Sequence, residues 1–506
     1  MKLSRYTLKN ITSGNVVIPD EALFDLPEKV LQFGTGVLLR GLTDYFIDKA
    51  NRQGVFNGRI VVVKSTTQGD KAAFSKQDGL YTVCIRDVEN GQKIEENIIN
   101  SSISRVLDAN TEWRRVLDCA HNLNLQIIVS NTTEVGIQLV QEDILRHPPV
   151  SFPGKLLAFL YERFHAFGGS ERSGMVIIPT ELLPENGIKL EGIVLELAHL
   201  NGLEDEFIEW LEDHNHFCSS LVDCIVPGKP DAETMASLEE ELGYTDQLIT
   251  ITEAYRLWAI EGGEYVQNCL SFAQVDKSIV IVPDIDIYRE LKLRLLNGTN
   301  TLSCGLSFLA GCESIEASMM DEGLSLYISN VMLKELAPSI PYHIEPAAAQ
   351  DFGLKVLERY RNPYIQHLWI NVTSQYSSKM KMRCIPVLLK HYEVEETVPE
   401  LFSLGFAAYL YFMRSEKEIN GHFFGEIRGE AYPIVDDQAE TFYKRWHNLS
   451  VPALVDEVLH DTAFWGADLS ALPGFQQSVT ENLKNIIELG VKEALYSVNN
   501  KKTVAV

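Results

Sequence analysis

Residues 29–50 read KVLQFGTGVLLRGLTDYFIDKA: a short apolar β-run, a glycine turn and the opening of a helix. Gly34 permits a tight turn. Gly36 lets backbone N–H groups approach a pyrophosphate at the start of the following helix. Leu39 stands where the usual GxGxxG has its third glycine, so the motif by itself is weak and an ordinary glycine turn is the alternative. Position favours the nucleotide reading. This is the first βα unit of the chain, where a dinucleotide fold places its phosphate turn.

Working outward, RIVVVKS (59–65), LQIIVSN (125–131), GMVIIP (174–179) and SIVIVP (278–283) are further β-branched runs spaced by helical stretches. Continuous apolar strands separated by helices predict a parallel sheet covered on both faces. After Asp286 the β-runs become scarce, and LFSLGFAAYLYFMR (401–414) and FQQSVTENLKNIIELGVKEALYS (475–497) carry helical period. The expected fold class is α/β: a Rossmann-like, doubly wound parallel sheet over 1–285, followed by a mostly α-helical domain over 286–506. The stretch 231–244 is expected to be a solvated acidic helix and 415–439 a charged surface loop.

The nucleotide-binding candidates are Phe33, Gly34, Gly36 and Arg40 at the turn, and Lys64 at the end of the second strand. Asn131, Thr132, Thr133 and Glu134 join them from SNTTEVG (130–136), which leaves the fourth strand at the ligand-binding edge of such sheets. The second strand ends without the acidic residue that holds an adenosine ribose, and Lys64 there could meet a 2′-phosphate.

Composition narrows the partners. The 506-residue chain has a formal net charge of −26, which argues against nucleic acid and requires a local cationic pocket for any anionic substrate. Its eight cysteines form no CxxC pair and sit mostly in apolar runs, as reduced thiols do. No secretory apolar region or membrane-length window is evident, so a cytoplasmic protein with no membrane partner is expected. His214 and His216 in EDHNHFC (212–218) cannot share a helix face at i, i+2, and no metal site is expected. The oligomeric state stays open.

The second chemical stretch is YRELKLRLLNGTNTLSC (288–304). At about 100° per residue its leucines form one core face, while Asn300 and Asn297 fall at about 80° and about 140° from Lys292, away from them. A lysine there could exchange a proton and amides could hold an oxygen. A snorkelling lysine with packed or capping asparagines is the plainer alternative.

KLRLLNG (292–298) resembles the catalytic helix signature of the mannitol dehydrogenase family of polyol-specific long-chain dehydrogenase/reductases. FGTGVLLRG, QDGLYTV (77–83), SNTTEVG, PTELLPENG (179–187), LVDCIVPG (221–228), EAYRLWAIEG (253–262) and RNPYIQ…SSKMKMR (361–383) match that family in order, nearly end to end. The context looks most like a branch acting on sugar acids. The resemblance implies metal-independent hydride transfer between NAD and a small-molecule sugar-acid substrate. Lys292 would be the general acid or base, and Asn297 and Asn300 would stand beside it. Lys379 and Glu181 would lie at the substrate. Lys381 and Arg383 could add to Lys379 the positive charge that a sugar-acid carboxylate needs, but a surface place is the expectation for these two. Four positions depart from the family pattern: Leu182 and Asn300 replace an asparagine and a histidine, and Asn371 and Cys224 replace arginines.

Overall fold

The computed structural model describes residues 1–65, 71–89, 91–132, 136–146, 148–364 and 366–503. They form two compact units, one of residues 1–87 and 93–285, the other of residues 88–92 and 286 onward.

The first unit is built on a six-stranded, all-parallel sheet. Its strands are β1 (Glu28–Phe33), β2 (Arg59–Lys64), β3 (Ile103–Asp108), β4 (Ile127–Ser130), β5 (Val176–Pro179) and β6 (His216–Phe217), in the spatial order β3-β2-β1-β4-β5-β6. The chain winds outward from β1 to β3 and then returns to lay β4 against the other side of β1. That reversal opens a crevice at the carboxyl ends of β1 and β4. Alternate strand residues feed two separate cores. Leu31, Phe33, Val61, Val63, Ile128 and Ile177 point into one, and Val30, Ile60, Val62, Ile127, Val129 and Val176 into the other. Burial on both faces is why these strands read as unbroken apolar runs.

SIVIVP departs from expectation. Ile279–Val282 pairs with Leu257–Glu261 in a separate three-stranded sheet that also holds Ser220–Asp223. A four-stranded sheet, which includes Tyr81–Glu89 and Gln92–Asn100, was also absent from the sequence reading.

The second unit is mostly helical and packs around its own apolar core. The span 415–439 is not a surface loop. It contains an antiparallel meander of Lys417–Ile419, His422–Ile427 and Glu430–Ile434. Its two turns are Asn420-Gly421 and Arg428-Gly429, all four residues at positive φ, as two-residue hairpin turns require. Tyr432 and Ile434 face inward while the charged residues face out. The helix expected over 475–497 breaks at Gly490, where φ is 89°, into Phe475–Leu489 and Val491–Thr503. The acidic helix forms as expected over Ala232–Leu242, with the Asp231 carboxylate capping Thr234 N–H at 2.8 Å. No helix of the described residues is long and apolar enough to cross a membrane.

Candidate active site

In the first unit, Gly34 closes the β1 turn at φ 134°, and a Cβ there would stand 2.9 Å from the Asn131 carbonyl oxygen. Only glycine lets the two strand ends approach this closely. Gly36 is the N-cap of Val37–Gly41, and a Cβ on it would meet nothing within 4 Å. The turn therefore presents backbone beside open space, as a cradle for a pyrophosphate should, and it fits a dinucleotide.

Several neighbouring candidates are engaged elsewhere. Phe33 is fully buried, its ring 5.1 Å from that of Phe152, so it offers only backbone at the turn. Arg40 is buried too: its guanidinium donates to the Leu248 carbonyl and lies near the Phe74 and Tyr81 rings. It braces the turn helix from behind and does not present charge to a ligand. Lys64 pairs with Asp108 at 3.1 Å, its register partner on β3. The positive charge at the end of β2 is thus already neutralised.

After β4, Asn131 donates to the Thr180 carbonyl and hydroxyl at 3.1 and 3.0 Å. The Thr132 N–H and hydroxyl both donate to Glu181 Oε1, at 2.8 and 3.0 Å, and Ser130 donates to Oε2 at 3.1 Å. Glu181 is buried, and burial raises its pKa above the ordinary glutamate value. Both its oxygens accept from the β4 loop, so within this unit it shapes that loop. Thr133 and Glu134 lie outside the described residues.

Beneath the turn lies Asp44, which the sequence did not mark. It is fully buried beside Thr43, Gln32 and Tyr81, and burial pushes its carboxyl up to about 7. Gln32 also donates to the Gly34 carbonyl at 3.2 Å, linking this carboxyl to the turn.

In the second unit the helix starting at Asp286 changes winding. Lys292–Gly298 is a π turn between Asp286–Leu291 and Thr299–Leu309. Uniform 100° steps therefore misplace the polar residues. A π turn closes on i→i+5 hydrogen bonds, so Lys292 and Asn297 lie one turn apart on the same side. Asn300 and Thr301 follow at three and four residues, again as neighbours on that side. The leucine face holds: Leu291, Leu295, Leu302, Leu306 and Leu309 are all buried.

Two more π turns, Val331–Leu336 and Met380–Cys384, pack against this one. Arg294 clamps it to the second of them. Its guanidinium donates to the Met382 and Arg383 carbonyls at 2.6 and 3.1 Å and pairs with Glu290 at 2.8 Å. Thr301 donates to the Asn297 carbonyl at 2.8 Å and accepts from Arg383 Nη1 at 3.3 Å.

The amides on this arc are unspent. Neither Asn297 nor Asn300 makes a side-chain hydrogen bond among the described residues, and Asn300 Oδ1 is buried without a partner. Lys292 is partly exposed on the same side. Lys379 donates to the Val372 carbonyl at 2.9 Å, and burial, then the charge of Arg383, lowers its pKa from the usual lysine value. His367 is half-buried nearby, its pKa lowered by burial and by Lys379.

Family models match both units. One described as the mannitol dehydrogenase Rossmann domain matches residues 28–273, and one described as the mannitol dehydrogenase C-terminal domain matches 284–487. The chain belongs to the mannitol dehydrogenase family. Altronate oxidoreductase of Halalkalibacterium halodurans is 35% identical over 500 residues, covering 97% of this chain and 96% of that one. The protein of the same name from Bacillus subtilis is 35% identical over 474 residues, covering 93% and 95%. Among solved structures, Pseudomonas fluorescens mannitol 2-dehydrogenase, solved with NAD and D-mannitol, has a TM-score of 0.73 at 21% identity, covering 99% of this chain and 100% of that one. A D-sorbitol dehydrogenase has a TM-score of 0.79 at 20% identity, covering 97% and 100%. These two show the shared fold.

Within the family pattern, the departures fall on differing surroundings. Leu182 and Asn371 are exposed, whereas Asn300 is buried on the polar arc. Arg383, set aside as a surface cation, is partly buried and turned onto Thr301. Lys381 is exposed, its ammonium 5.2 Å over the Phe464 ring, as expected of a surface lysine. His367 carried no sequence signal. A single histidine before an apolar run is usually a packed one.

Proposed function

We propose that this chain is a cytoplasmic, NAD(H)-dependent oxidoreductase that interconverts tagaturonate and altronate in hexuronate catabolism. One observation carries the site: on the π-wound helix, Lys292 shares a side with two asparagine amides that make no side-chain hydrogen bond among the described residues. Polar groups held ready and unsatisfied are what a reacting oxygen requires.

Gly34, Gly36 and the Asn131–Thr132 backbone would hold the cofactor, which when bound supplies a hydride in reduction and accepts one in oxidation. Asn297 donates to the substrate carbonyl oxygen and strengthens that bond as the oxygen gains negative charge. Lys292 gives the oxygen its proton, completing the alcohol, and takes it back in the oxidative direction. Asn300 holds a substrate oxygen beside them. The Lys64–Asp108 pair supports NAD over NADP, since Lys64 carries no spare charge for a 2′-phosphate.

The test is NADH and NADPH oxidation against tagaturonate, fructuronate and fructose, and the reverse reaction on altronate, mannonate and mannitol. Highest kcat/KM on tagaturonate with NADH is expected. Preference for fructuronate or fructose would move the chain to another branch. NADH binding without turnover on any of them would make it a nucleotide-binding paralogue, the outcome that Asn300 and Cys224 favour by departing from the family pattern.

A further inference from the structure

The chain carries 70 acidic residues against 44 lysines and arginines. In such a protein most buried or half-buried cations should find a carboxylate, and many do: Arg86 with Glu241, Arg105 with Glu28, Arg294 with Glu290, Arg445 with Glu457 and Asp461. Others, such as Arg40, Arg163 and Arg256, stand singly and spend their donors on backbone carbonyls. Lys379 and Arg383 differ in being two cations side by side. Among the described residues neither has a carboxylate within ion-pair distance, although they stand four residues apart on one helix and are close enough to repel each other.

Their remaining contacts are few. Lys379 uses one of its three N–H donors on the Val372 carbonyl. Arg383 uses one on the Thr301 hydroxyl, and its Nε–H is buried with no partner. The carboxylate that acts on Lys379 from a distance, Asp436, is itself engaged by the backbone N–H groups of Ser377 and Gln438, at 2.7 and 2.8 Å. Below the two cations, Cys304 is a fully buried thiol that burial pushes up to about 12, so it supplies no negative charge either.

Two adjacent cations left uncompensated at partial burial cost free energy in the free protein, which an arriving anion offsets. Thr301 ties Arg383 to the stretch that bears Asn297 and Asn300, so the vacant charge sits beside the reacting groups. We propose that Arg383, with Lys379, is the specificity-determining receptor for the substrate carboxylate, selecting sugar acids over neutral sugars. The proposal rests on the oxidoreductase reading for its reacting groups, but recognition of the carboxylate can be measured without turnover. Arg383 supplies a planar fork matched to a carboxylate, and Lys379 adds a point charge. No covalent step is involved.

The experiment compares wild type with Arg383→Gln and Arg383→Lys in the presence of NADH, on tagaturonate and on tagatose, its neutral counterpart. For Arg383→Gln, KM for tagaturonate should rise about 30- to 100-fold with kcat changed less than about threefold. Its constants for tagatose should hardly move. Arg383→Lys should recover part of the loss on the acid alone. Equal losses on both substrates, or none on either, would overturn the proposal.

Calorimetric binding of altronate and of the neutral hexitol altritol keeps the two readings separate. Altronate binding that exceeds altritol binding in wild type and is lost in Arg383→Gln supports the receptor, even if no keto acid is turned over and the oxidoreductase reading fails. Altronate and altritol binding equally well to wild type overturns the receptor, whatever the turnover. An unchanged thermal transition and NADH affinity in Arg383→Gln exclude misfolding as the cause of its loss.

Discussion

The first unit's glycine turn and the second unit's π-wound helix both carry polar candidates, and they treat them in opposite ways. Around the turn, Arg40, Lys64, Asn131, Thr132 and Glu181 hold the fold's own backbone or one another, and the ligand is left with bare peptide groups and space. On the helix, Asn297 and Asn300 keep side-chain donors and acceptors unspent among the described residues, and beside it Arg383 keeps a buried donor unspent. The contrast is physical. Pyrophosphate is bound by N–H groups that any residue brings, so side chains near it are free to build architecture. A carbonyl that must gain a proton needs particular side chains, because no backbone group can supply the proton.

Removing the proton donor should produce the largest effect. Lys292→Ala should lower kcat by at least ~10²-fold, the usual scale for acid–base catalysis, with NADH affinity retained because the turn lies in the other unit. Steady-state kinetics alongside fluorescence titration of NADH checks both halves, and wild-type turnover would remove Lys292 from the chemistry.

On the architectural side, Gly34→Ala places a methyl 2.9 Å from the Asn131 carbonyl at a φ of 134°. It should weaken NADH binding by roughly tenfold or more and cost about 1–3 kcal/mol of stability, read by titration and by thermal unfolding. An unaltered Kd would mean that the turn is not where the cofactor sits.

Asn300→His sharpens the comparison from the chemical side. An asparagine amide keeps its charge state across neutral pH, whereas an imidazolium can make a stronger hydrogen bond to the substrate oxygen. The variant should raise kcat/KM about five- to thirtyfold, a gain of about 1–2 kcal/mol in transition-state stabilisation. Loss of activity would show that the asparagine is matched to its own substrate.

The smallest expected effect concerns Asp44. Its folded pKa of about 7 exceeds the ordinary 3.8, so the native chain keeps a proton that the unfolded chain releases. Stability from this group is therefore full below about pH 4 and is lost as pH rises to about 7. Between pH 5 and 8, Tm of wild type should fall more steeply than that of Asp44→Asn. Parallel slopes would show Asp44 ionised in the fold.

Legibility followed the same division. β1, β2, β4 and β5 are buried on both faces and announce themselves as apolar runs, and the turn follows from where β1 ends. β3, read as ISRVLD, escaped because Ser104 and Arg105 are spent on Glu28 and interrupt the pattern. The meander was hidden by its charges although Asn420-Gly421 marks a hairpin. The polar arc was visible as residue types, but not its geometry: a template of uniform α-helical steps has no place for a π turn. Arg383 was misjudged because residue type gives the surface prior, and only the surroundings show a cation without a counter-charge.

A π turn differs from an α turn by one extra residue, and that gives KLRLLNG an unusual sensitivity to winding. Wound as ordinary α at its present length, the same stretch would put Asn297 about 140° round the helix from Lys292, with composition and helix content unchanged. Removing one residue between the two would instead make them an i, i+4 pair, again on one side of a plain α-helix. The alignment therefore depends on winding and length together, and a change of winding alone undoes it.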